Sequence, residues 1–170
     1  MKQVFSYPPV VFVLLLATSS CQDQEPLSDL TGNEMVYALT AGSVYDIHGT
    51  AIFQEKTDGT TRVLIQLEGT EGDGLHPLHL HYGHLGTPDA ELAAMLNPVS
   101  GNTGKSETHL KFLMDETPVT YQQLLAFEGC IKVHLGETGP DRDIILAAGN
   151  IGSAVDHPGG RISSGTCRSN

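Results

Sequence analysis

Residues Gly49–Gly69, GTAIFQEKTDGTTRVLIQLEG, decide the fold class. In RVLIQLEG, Val63, Ile65 and Leu67 alternate with Leu64, Gln66 and Glu68, so one face is apolar and the other mixed. Successive side chains of an extended chain point to opposite sides, and this period of two is what a half-buried strand requires. KTDGTT supplies a turn between the two runs, which predicts a pair of strands. Working outward, MVYALTA (35–41), LHPLHLHYG (75–83), THLKFLMD (108–115), CIKVHLG (130–136) and DIILAAGNIG (143–152) read as further strands, with EGDG (71–74) as another turn. TYQQLLAFEG (120–129) fits a helical turn or a strand equally. DAELAAML (89–96) reads as two turns of helix, opened by Thr87 or Asp89 and closed by Asn97-Pro98. The expected architecture is an all-β sandwich or barrel over residues 35–152 with one long, partly helical loop insertion, followed by an irregular tail, 153–170.

A chain of 170 residues with 39% hydrophobic side chains holds one domain with its own core. The 20 acidic residues outnumber the 9 basic ones, a net charge of −11, and argue against a nucleic-acid surface, which needs clustered Lys and Arg to neutralise phosphates. Residues 1–20 read as a signal peptide: Lys2 precedes the apolar run Pro9–Ala17, PVVFVLLLA. That run is far shorter than the roughly 20 residues needed to span a bilayer. ATSSC (17–21) resembles a bacterial lipoprotein signal, which implies lipidation of Cys21; ordinary secretory cleavage is the alternative. Either route leads out of the cytoplasm, and lipidation implies a periplasmic or outer-surface lipoprotein held to a membrane by its anchor. Residues 21–34 then serve as a flexible tether. Disulfides persist in that compartment, so Cys130 and Cys167 are a candidate pair tying the tail to the body, with two free thiols as the alternative.

Four of the eight histidines crowd into positions 76–84, in the run HPLHLHYGH. On a strand His79 and His81 project to the same side, their Cα atoms roughly 6.5–7 Å apart, so two imidazoles can converge on one ion. A third ligand has to come from a distant strand, and His134 in CIKVHLG is the candidate. Neutral imidazole favours copper, zinc, iron or nickel over magnesium and calcium. His76 is expected to brace the strand as a buried hydrogen-bonding residue, and His84 is a further candidate ligand. His48, His109 and His157 read as surface or tail residues, with His109 alone of these kept open as a ligand.

The order of segments GTAIFQEKTDGTTRVLIQLEGTEGDGLHPLHLHYG resembles the amino-terminal half of copper/zinc superoxide dismutases. LNPVSG is similar to that family's Asn-Pro segment, IKVHLG to the strand with its last copper histidine, and AAGNIG to its closing strand. The resemblance spans roughly residues 35–152 and implies a Greek-key β-barrel with copper held by His79, His81 and His134 and with His76 as a structural neighbour. Departures are equally specific. Met95 stands where the family has its metal-bridging histidine, no histidine follows between Asn97 and Lys105, and the family's zinc-site aspartate has no match, so a zinc site of that type is not expected. Ile145 stands where the family has its guiding arginine, with Arg142 nearby but out of register, and the preceding loop shrinks to GETGPDRD. Ala148 replaces a family cysteine, so any disulfide between Cys130 and Cys167 would differ from the family's.

The resemblance implies superoxide dismutation at a three-histidine copper site, of low efficiency because the bridging histidine and guiding arginine are unmatched. A non-enzymatic copper carrier is the alternative: the thioether of Met95 is a soft donor suited to Cu(I). The competing reading of Met95 is a core residue on an amphipathic turn. A third reading keeps the fold as a scaffold that has lost its metal. Superoxide or copper ions are the expected partners.

Overall fold

The computed structural model describes residues 28–156 and the backbone of residues 166–168. The strands are β1 (Leu30–Ala41), β2 (His48–Lys56), β3 (Thr61–Glu68), β4 (Leu75–Tyr82), β5 (Leu92–Ser100), β6 (Lys105–Leu110), β7 (Glu128–His134), β8 (Ile145–Gly152) and β9 (Thr166–Arg168). Two short helices interrupt them, α1 (Tyr121–Ala126) and α2 (Pro140–Asp143). The strands run side by side in the order β5-β4-β7-β8-β1-β2-β3-β6, all antiparallel, with β9 added against β1. The two outer strands of that order, β5 and β6, are brought together by Asn97, whose amide N–H donates to Thr108 Oγ1 (2.8 Å) and whose Nδ2 donates to the Glu107 carbonyl (2.6 Å). The result is a nearly closed all-β barrel whose β3–β4 and β6–β7 connections cross from one side to the other, as a Greek key requires.

The opening hairpin forms as its alternation predicts. Thr61, Val63, Ile65 and Leu67 are buried, while Gln66 and Glu68 face solvent. Gly59, at φ +81° in the β2–β3 turn, adopts a backbone shape that side chains with a Cβ resist, and its amide donates to the Lys56 carbonyl at 2.9 Å. The core inside the barrel is built from residues such as Phe53, Ile65, Leu78, Leu80, Ile131 and Leu146, and Tyr37 meets Phe53 edge-on at 5.2 Å. The ambiguous segment 120–129 divides in two. Thr120 and Gln123 form a reciprocal capping box that starts α1, and β7 begins at Glu128.

Three expectations are corrected. DAELAAML does not form a helix: Asp89 takes the left-handed conformation at φ +49°, which turns the chain, and from Leu92 it pairs with β4. Alanine-rich sequence favours helix only weakly, and burial of Ala93, Ala94, Leu96 and Val99 against the barrel outweighs that preference. Pro98 is tolerated because β5 borders the gap toward β6, where a missing N–H costs little. The helical part of the long connections lies instead at α1, between β6 and β7. Regular structure also begins at Leu30, earlier than residue 35, and the tail is not wholly irregular, since β9 pairs with β1. Residues 1–20 and Cys21 lie outside the described residues.

Candidate metal centre

Strand pleating places the histidines. On β4, Leu78 and Leu80 fill the core, so His79 and His81 point outward. On β7, Ile131 and Val133 are in the core, and Cys130, Lys132 and His134 take the outer face. The register sets Lys132 opposite His79 and Cys130 opposite His81. His134, two residues beyond Lys132, therefore lies diagonally across from His79.

The three imidazoles meet. One ligand atom from each of His79, His81 and His134 lies within 4.8 Å of the others, close enough to hold a metal ion. Ring centroids are 5.9 Å apart for His79 and His81, 4.9 Å for His79 and His134, and 6.4 Å for His81 and His134. Metal–nitrogen bonds of about 2.0–2.1 Å would draw the nitrogens to about 3.3–3.5 Å of one another, a closure within the reach of ring rotation.

Backbone carbonyls orient two of the rings. His81 Nδ1 lies 2.9 Å from the Ala90 carbonyl and His134 Nδ1 lies 2.6 Å from the Arg142 carbonyl. A carbonyl only accepts, so in both rings Nδ1 carries the hydrogen and donates it, leaving the lone pair on Nε2. Both Nε2 atoms are buried and have no hydrogen-bond partner among the described residues. A buried acceptor left unpaired costs about 1–3 kcal/mol, and a cation shared with the third imidazole could satisfy both lone pairs at once. Ala90 is in the loop that follows β4 and Arg142 is in α2, so each orienting group comes from a connection folded back over the sheet.

Burial keeps the three imidazoles neutral. Burial, then the neighbouring His134, His81 and Arg142, push the His79 pKa down to about 4. Burial is also the main cause that lowers His81 and His134, with Lys132 adding to it and the carbonyl bonds opposing it. Near neutral pH no proton has to be displaced from these rings when a metal binds.

The remaining candidates fall into place around this group. His76 is buried, and its Nδ1 donates to the Leu135 carbonyl at 3.2 Å, next to His134 in the chain. His84 lies in the loop after β4, where its Nδ1 accepts the Gly86 amide at 3.0 Å, and it is not part of the trio. His109, on β6, is paired with Glu107 at 3.0 Å and is not part of the trio either. His48 lies near Asp46 and Glu68 at the surface, and His157 is outside the described residues. Met95 is not a core residue: it is 58% exposed on β5, directly opposite His79 in register. Cys130 is a free, fully buried thiol whose pKa burial raises, and the side chain of Cys167 lies outside the described residues.

Two cations near the trio escape a motif reading. Lys132 opposes His79 and lines a cleft of 260 Å³ with Leu85, Thr40 and Ile145. The same period of two that pairs His79 with His81 puts Lys132 on the face of His134, so that signal was present in KVH. Arg142 acts electrostatically on His79 and His134 although its place in the sequence is out of register. No sequence spacing reveals it, because α2 brings it over. The chain matches no protein-family model and no curated protein.

Proposed function

We propose that the protein is an extracytoplasmic copper protein that dismutes superoxide at His79, His81 and His134. The observation that carries this reading is the pair of buried, partnerless Nε2 lone pairs of His81 and His134 facing a third imidazole. A neutral three-nitrogen donor set suits copper, and nothing in it is hard or anionic as magnesium or calcium would need. Copper held by His79, His81 and His134 would supply one-electron redox chemistry, by which one superoxide would be oxidised to dioxygen and a second, with two protons, reduced to hydrogen peroxide.

The chain's own residues do the rest. Ala90 and Arg142 hold His81 and His134 in the ligating tautomer through their carbonyls. His79, only half buried, borders the solvent side by which a small anion arrives. Lys132 and Arg142 supply local positive charge on a chain whose net charge of −11 repels anions. Met95 cannot take up a proton as an imidazole at that position could, so protons reach the site from water and turnover is modest.

The experiment is superoxide removal by the copper-loaded full chain, compared with His134→Ala and with the same amount of free copper. Activity above free copper that disappears in His134→Ala is the expected result. A loaded protein no faster than free copper ends the dismutase reading.

A further inference from the structure

Among the large apolar side chains of the described residues, Met95 is one of the few left exposed, and it is the one beside the metal centre. Its neighbours Ala94 and Leu96 are both buried, so the sulfur-bearing chain points outward, to the face that carries His79. Residues directly opposite on antiparallel strands have Cβ atoms about 4.5–5.5 Å apart on one face. From there a thioether on three rotatable bonds can swing to the edge of the histidine cluster, where a metal–sulfur bond of about 2.3 Å is within reach.

The surroundings of His79 are asymmetric. Met95 flanks it on the β5 side and Lys132 on the β7 side. The first is a soft neutral donor and the second repels cations. Three imidazoles and a thioether carry no charge to offset a dication, and of the side-chain charges that act on the rings Lys132 and Arg142 are positive, with Asp143 alone opposing them. Both effects favour the singly charged, softer ion. We propose that Met95 completes a three-nitrogen, one-sulfur site with His79, His81 and His134 that holds copper preferentially as Cu(I). This rests on the copper reading of the trio and adds to it a redox preference: the cuprous state is retained and its reoxidation is slowed.

The test uses the full chain, anaerobically, with Cu(I) delivered against a chromophoric Cu(I) chelator, and with Cu(II) affinity measured in parallel. Met95→Leu keeps size and apolarity, so the fold is preserved. The expected result is a Cu(I) affinity at least about tenfold weaker in Met95→Leu, with Cu(II) affinity changed less than about twofold. X-ray absorption of the Cu(I)-loaded wild type should show a sulfur scatterer that is missing in the variant. Unchanged Cu(I) affinity in Met95→Leu overturns the inference. So does a sulfur signal that survives in Met95→Leu, which would assign it to another residue such as Cys130. His134→Ala separates the two levels of the argument. Copper uptake equal in wild type and His134→Ala removes the three-histidine site itself, and with it this inference. Uptake lost in His134→Ala but indifferent to Met95→Leu removes Met95 alone.

Discussion

His79 carries the most distinctive electrostatics of the centre. Its pKa, ordinarily near 6.5, is pushed down to about 4 by burial and then by its histidine and arginine neighbours. In the unfolded chain the same ring takes a proton near its ordinary value. Between those two values the unfolded state binds more protons than the folded one, so stability of the metal-free protein falls as pH drops through this window. His81 and His134 are shifted in the same direction and add to the slope. Replacing His79 with Gln should flatten the loss: denaturant midpoints measured from pH 7 to pH 4 should fall more steeply in wild type than in His79→Gln. A steeper fall in the variant would contradict the burial of the neutral ring. Metal retention should persist to pH values below those at which an ordinary histidine site releases its ion.

β4 joins the core to the centre. Its inward side chains Leu78 and Leu80 are essentially inaccessible, and Leu80 lies between the two outward imidazoles of His79 and His81. Leu80→Ala removes methylene groups from a packed interior and should cost about 2–5 kcal/mol in a denaturation experiment, according to how far the core collapses around the hole. It should also weaken metal binding, because the strand that spaces the two imidazoles loses its anchor; competition titration of Cu(II) against the wild type checks this. The outward and inward sets of β4 were legible because a strand has a period of two. The neighbouring β5 was not. AELAAML contains no alternation that separates strand from helix, and what settles it is pairing with β4 and burial of Ala93 and Ala94 in the barrel.

Charge is a property of the whole molecule. The net charge of −11 disfavours approach of any anion, while Lys132 and Arg142, opposed in part by Asp143, bring positive charge to the trio. On the proposed dismutase activity, Lys132→Glu should therefore lower the second-order rate with superoxide by about tenfold at low ionic strength, and the gap should narrow as salt is added. A rate independent of Lys132 and of salt would show that approach is not steered from this side. Tertiary pairing matters in the same way, because β4 and β7 pair directly although β5, β6 and α1 separate them along the chain.

Period-two alternation in RVLIQLEG and LHPLHLHYG makes the strands readable and puts His79 and His81 on one face, since pleating is a local property of the chain. The partnership of His134 with that pair depended on β7 lying beside β4, a contact between residues more than fifty positions apart that no local pattern encodes. The carbonyls of Ala90 and Arg142 belong to the same category, because every residue has a carbonyl and only folding chooses which one faces an imidazole. Met95 shows both sides: its softness is written in its chemistry, and its place beside His79 came from a strand pairing that overrode the helical preference of its own segment.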